Sequence, residues 1–338
     1  MSIAAPDLDR AIGEAAFSGI VTIDVGGERR LERVVGFAHR GHRVPITPDT
    51  RLAIASGSKI FTALAVLRLV EQGLLRLDQP VRTVLGEDLP LIDPGVTIEH
   101  LLSHTSGIGD YIDESAGGDI DDYVLTAPVH TFETAESFLA VLDGFEQAFP
   151  PGTEFGYCNG GYVVLAIVLE RITGEAFHAA IRRLVLEPAR LGRTDYLRSD
   201  TLPGDAALGY LDDEGDRTNI LHLPVLGNGD GGAFTTAADL HRFWRALRRG
   251  EIIAPETYAE LVRPRYDVED EGKRFGLGIW LHETTDALIL EGYDAGVSFW
   301  SAHDPAADAT YTVIANSSEG AWPVALVLRS ALESAAAD

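Results

Sequence analysis

The sequence has almost no lysine, almost no cysteine and too little positive charge to balance its acidic residues. Of its 27 basic residues only Lys59 and Lys273 are lysines, against 52 aspartates and glutamates, and the formal net charge is −25. Nucleic acid and anionic membranes are therefore unfavourable partners, because both are bound through clustered lysine and arginine. The single cysteine, Cys158, excludes an intramolecular disulfide and a cysteine-rich metal cluster.

Long apolar segments are also missing. Residues 1–10 include acidic side chains and no apolar core of the length that a secretory signal needs, and no later run approaches a membrane span. We therefore expect a cytoplasmic protein that does not enter the membrane. With 338 residues, 46% of them hydrophobic, the chain is long and apolar enough to fold around a substantial core.

What the sequence does contain is a Ser-x-x-Lys tetrad directly ahead of an apolar helical pattern. Ser56-Gly57-Ser58-Lys59 opens the segment 60–70, whose apolar residues recur at helical spacing and predict a buried helix over about 57–72. Three residues bring a side chain back to nearly the same helix face, so Lys59 should reach the Ser56 hydroxyl. An attacking serine must pass its proton to a neighbouring group, and a lysine can accept it when its pKa is lowered. Since lysine is so rare in this chain, the tetrad favours a catalytic pair over a chance match on a solvated face.

Strand patterns at both ends of the chain enclose a helical middle. A hairpin is predicted over 19–38, and the later predicted strands cover 275–282, 286–290, 297–303 and 310–316. Residues 1–55 and 265–338 should therefore build one sheet together, with residues 56–264 as a mostly helical inserted region. Ser56 falls at the junction, where a cleft between the two parts would hold an active site.

Several further motifs bear on the site. His100 and His104 have a spacing that can hold zinc, but no glutamate follows His100 and no third ligand is apparent, so structural roles are favoured and no metal or other cofactor is predicted. The acidic stretch 110–122 is either solvated surface or a lid. The glycine-rich segment 227–232 lacks the ending of a phosphate-binding loop and should line the cleft. Although aromatic residues are more often plain core, the candidate pocket walls are Tyr111, Tyr123, Trp280, Tyr293 and Trp300.

Tyr157 and Asn159 are separated by one residue ahead of a second apolar helix predicted over 160–172, so both can project to one side. With this pair, the chain resembles the serine β-lactamase and penicillin-binding-protein family, in the branch of class C β-lactamases, DD-carboxypeptidases, D-aminopeptidases and class VIII-type esterases. Nearly the whole chain is covered, and the matching segments in family order are 51–59, 96–107, Tyr157-Cys158-Asn159 and Gly231-Gly232. The resemblance implies an α+β fold of the β-lactamase/transpeptidase type, with a five-stranded antiparallel sheet flanked by helices.

The resemblance also implies roles for individual residues. Ser56 would be the acylated nucleophile, Lys59 its proton acceptor and Tyr157 the base or proton shuttle. Asn159 would orient Lys59 and the substrate. The backbone N–H of Ser56, with a second N–H from the strand near Tyr293, would form the oxyanion hole of a metal-free acyl transfer.

The third family motif is altered. Family members usually carry Lys or His, any residue and then Gly on the last strand of the cleft, and alignment on Gly296 places Leu290-Glu291-Gly292 there. A slip of one residue would put Glu291 at the cationic position. In either alignment the cation that binds a substrate carboxylate is missing, which costs such ligands about 1.5 to 3 kcal/mol. We therefore predict a serine hydrolase of carboxylic esters or small amides, with a small-molecule ester, amide or peptide as its partner.

Two alternatives stay open. One is a D-aminopeptidase, DD-carboxypeptidase or β-lactamase-type peptidase, in which Glu291 could pair with a substrate ammonium. The other is a non-catalytic binding protein on the same scaffold. The intact set of Ser56, Lys59 and Tyr157 disfavours this second alternative.

Overall fold

The computed structural model describes residues 5–112 and 117–337. Its helices are α1 (Ala5–Glu14), α2 (Lys59–Glu71), α3 (Arg82–Leu85), α4 (Ile98–Leu102), α5 (Leu139–Leu142), α6 (Asn159–Thr173), α7 (Phe177–Ile181), α8 (Ala237–Arg248), α9 (Pro255–Leu261) and α10 (Trp322–Ala337). Its strands are β1 (Gly19–Val25), β2 (Glu28–Val35), β3 (Phe37–His39), β4 (Val44–Pro45), β5 (Leu52–Ala53), β6 (Asp195–Tyr196), β7 (Ala233–Thr235), β8 (Tyr266–Val268), β9 (Lys273–Phe275), β10 (Trp280–His282), β11 (Leu288–Asp294), β12 (Val297–Asp304) and β13 (Ala309–Ala315). None of the helices in these ranges is long and apolar enough to cross a membrane.

The main sheet has eight strands in the order β2-β1-β13-β12-β11-β10-β9-β8, so the expected five-stranded sheet is wrong. Part of the difference lies in residues 275–282, which were predicted as one strand. They belong to a hairpin in which Trp280 of β10 pairs with Phe275 of β9. Gly276 donates its N–H to the Ile279 carbonyl over 2.9 Å, and Gly278 takes a φ of +84°, a conformation that glycine adopts without strain. β8 then pairs with β9 and extends the same edge.

Side chains of the central strands alternate between two cores. Ile20, Phe299 and Ile314 pack with the helical region, whereas Trp300 and Val313 pack with residues of α1 and α10 on the other face. The main-sheet strands come from residues 19–35 and 266–315, and α2 to α9 lie between them in sequence. The division of the chain into residues 1–55 plus 265–338 and residues 56–264 stays a prediction.

A tight turn at the junction carries Ser56. Ala55–Ser58 form one 3₁₀ turn directly before α2, and Ala55 takes a φ of +44°, a conformation that costs energy for a residue with a Cβ. Gly292 of β11 lies against this turn, because a Cβ on it would be 2.1 Å from the Ile54 carbonyl oxygen. A glycine is therefore needed for the strand to approach the Ser56 turn this closely.

Candidate active site

Ser56 and Lys59 are in hydrogen-bond contact. The Lys59 Nζ donates to Ser56 Oγ over 2.8 Å, to Asn159 Oδ1 over 2.7 Å and to the backbone carbonyl of Asp230 over 2.6 Å. Lys59 is only 4% exposed, although it is charged in its usual state. The amine is therefore held in place by oxygen acceptors from three separate parts of the chain.

Tyr157 lies over the same amine. Its ring centroid is 5.0 Å from Lys59 Nζ, and the ring stacks on Trp280 with centroids 6.3 Å apart and planes within 8°. His104 contacts the ring at 4.3 Å. Ser56, Lys59, Tyr157 and Trp280 line one small pocket together, so the packing fixes the tyrosine near Ser56.

The first turn of α6 is held by a carboxylate that sequence reasoning did not single out. The N–H of Asn159 donates to Asp110 Oδ2 over 2.5 Å, and the N–H of Gly160 donates to Asp110 Oδ1 over 2.8 Å. These donors are among those that a helix N-terminus leaves without partners in its own backbone. Burial raises the pKa of Asp110 to about 6, against the lowering effect of these hydrogen bonds. Asp110 thereby fixes the backbone from which Asn159 reaches Lys59.

The neighbouring residue Tyr111 fixes the other backbone acceptor of Lys59. Its hydroxyl donates to Asp230 Oδ2 over 2.5 Å. Burial raises the pKa of Asp230, while nearby Lys59 and the Tyr111 hydrogen bond act in the opposite direction. Burial also raises the pKa of Tyr111, and the Asp230 carboxylate adds to that shift. Through these hydrogen bonds, the adjacent residues 110 and 111 link the first turn of α6 to the glycine-rich segment 227–232.

The altered third motif lies within β11. Leu290 packs in the core that the sheet shares with the helical region, and Glu291 is the next residue along the strand. Glu291 Oε2 accepts from Lys273 Nζ, and Oε1 accepts from Arg329, both over 2.5 Å. Lys273 Nζ also lies 4.5 Å from the Trp280 ring centroid. A cation therefore does stand near this motif, but it comes from β9 and is paired with Glu291.

A larger cleft opens on the other side of Ser56. Its polar lining includes Asn159, Asp230 and Asp294, and no lysine or arginine lines it among the described residues. Its apolar lining includes Leu125, Leu197, Leu202, Ile220, Leu223 and Phe234. The segment 227–232 contributes to its wall, as predicted.

The predicted aromatic walls divide into three groups. Tyr111, Tyr123 and Tyr293 line the larger cleft, and Trp280 lines the small pocket. Tyr293 is 40% exposed, and its hydroxyl donates to Glu319 over 2.8 Å. Trp300 is fully buried in the core beneath α10 and lines neither space, so its prediction as a wall is wrong.

The two histidines have structural contacts. His100 Nδ1 accepts the N–H of Thr97 over 3.2 Å at the start of α4, and buried His104 Nδ1 accepts the N–H of Cys158 over 3.0 Å. Burial lowers the pKa of His104 well below its usual value. Across residues 5–112 and 117–337, no group of three or more His, Cys, Asp or Glu is placed to hold a metal. The acidic stretch 110–122, predicted as either solvated surface or a lid, lies partly outside the described residues.

Comparison with known proteins places this geometry in a family. The model of the family described as Beta-lactamase matches residues 7–336. Esterase EstB of Burkholderia gladioli is 31% identical over 80% of this chain and 76% of its own length. D-aminopeptidase of Brucella anthropi is 30% identical over 83% of this chain. The chain spans only 52% of that aminopeptidase and 63% of the penicillin-binding protein PbpX of Bacillus subtilis.

A solved structure extends the similarity over the whole fold. The penicillin-binding protein from Bacillus halodurans superposes with a TM-score of 0.89 and 35% identity, covering 96% of this chain and 99% of that one. The family-model match over residues 7–336 includes the Ser56 turn, α6 and the central strands. The chain therefore belongs to the beta-lactamase family.

Proposed function

We propose that this protein is a serine hydrolase that cleaves carboxylic esters or small amides through an acyl-enzyme on Ser56. The observation that carries the proposal is the contact of Ser56 Oγ with the buried, three-fold coordinated Nζ of Lys59. A surface lysine would not keep such a set of partners, because it is flexible and well solvated. The esterase and aminopeptidase relatives support the same reaction class.

In the proposed reaction, Ser56 Oγ forms a bond to the substrate carbonyl carbon and loses its proton to the Lys59–Tyr157 pair, in which Lys59 is the acceptor and Tyr157 the base or proton shuttle. The backbone N–H groups of Ser56 and Tyr293 would stabilise the developing oxyanion.

The leaving group then departs and the enzyme is restored. As the carbonyl C–O or C–N bond breaks, Tyr157 returns the proton to the leaving oxygen or nitrogen. Water next attacks the acyl carbon and gives its proton to Tyr157, and this proton returns to Ser56 Oγ as the carboxylic acid leaves. No step in this sequence needs a cofactor.

The test is intact-mass analysis after brief exposure to p-nitrophenyl butyrate and, separately, to a penicillin. We expect an acyl adduct or turnover with the ester in the wild type and in Ser58→Ala, and neither in Ser56→Ala. Ser58 is a suitable control because it is buried and donates its hydroxyl proton to the Ala55 carbonyl over 2.7 Å. An adduct that persists in Ser56→Ala, or no reaction at all, would refute the proposed nucleophile.

A second candidate is an amidase for substrates that carry an ammonium group. It is favoured by the acidic lining of the larger cleft, where Asp230 and Asp294 face the space without a lysine or arginine among the described lining residues. Pairing of that ammonium with Glu291 stays a prediction, and it would require exchange of Lys273 or Arg329. Hydrolysis of D-alanine p-nitroanilide faster than its N-acetylated form would support this candidate, and the opposite order would contradict it.

A further inference from the structure

A buried carboxamide without partners lines the larger cleft. Asn228 is only 3% exposed, and neither its Oδ1 nor its Nδ2 has a hydrogen-bond partner in the described part of the chain. The residue lines the same space as Ser56. Buried polar groups are nearly always paired, so an amide with both ends unpaired at a cleft wall points to a ligand that pairs with it.

Hydrogen bonds hold the backbone around Asn228 in place before any ligand binds. The Gly227 carbonyl contacts His178 Nε2 at 2.7 Å, and the Gly229 carbonyl accepts from Thr62 Oγ1 over 2.7 Å. The N–H of Asn228 itself donates to the Gly231 carbonyl over 2.9 Å. These contacts fix the backbone that carries the unpaired Asn228 carboxamide, which lowers the entropic cost of binding a ligand there.

Two further polar atoms without partners lie on the same wall. Ser199 Oγ and His222 Nδ1 are buried atoms with no hydrogen-bond partner among the described residues, and both residues line the cleft. They stand among apolar neighbours that include Leu202 and Leu223. A few polar groups in a mostly apolar pocket are the usual means of fixing one orientation of a ligand.

The position of Asn228 shows which part of a substrate it would meet. The leaving group must lie beside its proton donor, and Tyr157 lines the small pocket with Trp280. The larger cleft is lined by Ser56 but not by Tyr157, so it lies on the acyl side of the nucleophile. Asn228 offers a hydrogen-bond acceptor and a donor, and an amide group offers the complementary donor and acceptor.

We propose that Asn228 is a specificity residue for substrates whose acyl part carries an amide, such as esters or amides of N-acylated amino acids and peptides. This inference rests on the proposed serine hydrolase function. It predicts a preference between acyl groups, whereas the proposed function predicts only that acyl groups are transferred through Ser56.

The test compares three p-nitrophenyl esters of similar length, made from N-acetylglycine, 4-oxopentanoic acid and hexanoic acid. The second keeps the acceptor of the amide and lacks its N–H, and the third lacks both. We measure kcat/KM in the wild type, Asn228→Leu, Asn228→Asp and Leu223→Ala. Ratios between esters are compared across variants, because intrinsic reactivity of each ester then cancels.

We expect Asn228→Leu to lower the N-acetylglycine to hexanoate ratio by about tenfold or more, since a site built to hydrogen-bond its substrate loses that discrimination with the bond. Asn228→Asp keeps an acceptor for the amide N–H but loses the donor, so it should lower the 4-oxopentanoate to hexanoate ratio. Leu223→Ala removes an apolar wall and should change all three rates by a similar factor. Asn228→Leu should also keep or raise Tm, because it removes a buried amide without partners.

Two results would overturn the inference, and they differ. If all esters acylate Ser56 but the ratios in Asn228→Leu equal those of the wild type, Asn228 does not select the acyl group and the proposed function stands. If no ester reacts and no adduct forms on Ser56, the proposed function fails and the inference fails with it.

Discussion

Tyr111→Phe removes a single hydroxyl from the contact that joins the two sides of the site. That hydroxyl donates to Asp230 Oδ2 over 2.5 Å, and Tyr111 is buried. A hydrogen bond to a charged acceptor contributes about 1.5 to 3 kcal/mol. Asp230 keeps partial solvent contact, so we expect the lower part of this range, a loss of about 1.5 to 2 kcal/mol in the free energy of unfolding. Urea denaturation followed by circular dichroism at 25 °C measures it.

A double-mutant cycle with Asp230→Asn decides whether the loss belongs to this contact. If it does, the two changes should couple by about 1 kcal/mol or more, because the second change removes the charge that the first leaves unpaired. We also expect a lower kcat for Tyr111→Phe, since the Asp230 backbone carbonyl is a partner of Lys59. If the two changes have additive effects on the free energy of unfolding, or if Tyr111→Phe lowers it by less than about 0.5 kcal/mol, Tyr111 contributes only through packing in the core.

Three further changes test other parts of the site. The pKa of Asp110 is raised to about 6, above its value in the unfolded chain, so the free energy of unfolding should fall as the pH rises from about 4 to 6. Urea midpoints measured across this pH range should show the fall in the wild type, and Asp110→Asn should flatten it. Gly292→Ala places a Cβ 2.1 Å from the Ile54 carbonyl oxygen and should lower both Tm and kcat. The control Gly13→Ala in α1 has nothing within 4 Å of its Cβ and should leave kcat unchanged. Equal effects of the two changes would contradict the close approach of Gly292 to the Ser56 turn. Glu291→Gln removes the charge that neutralises Lys273 and should raise the rate of penicillin acylation about tenfold, and an unchanged rate would show that Lys273 cannot reach a substrate carboxylate.

Local sequence patterns were sufficient for the elements that carry the nucleophile. The predicted helices over 57–72 and 160–172 are present as Lys59–Glu71 and Asn159–Thr173, because both are apolar on nearly every side and are buried in the core. The contact of Ser56 with Lys59 follows from their three-residue spacing, so it too could be predicted. Each of these features depends on residues that are close in the chain.

The features that were missed depend on residues far apart in the chain. Tyr111 and Asp230 are separated by 119 residues and Lys273 and Glu291 by 18, and neither pairing has a local pattern. The hairpin 273–282 was hidden because its turn contains the apolar residues Leu277 and Ile279, which continue the strand pattern across the glycines. The glycines at 276 and 278 were the one signal that could have divided it.

The charge arrangement connects the proposed reaction with the proposed selectivity. Lys59 is buried and hydrogen-bonded to Ser56, Asn159 and the Asp230 carbonyl, so it is not available to hold a distant substrate carboxylate. Lys273 lies beside Trp280 of the small pocket, but its charge is paired with Glu291. With no lysine or arginine among the described residues that line the larger cleft, acidic substrates gain little from binding on either side of Ser56. Selectivity then has to come from neutral hydrogen bonds, and the unpaired carboxamide of Asn228 is placed on the acyl side to supply them.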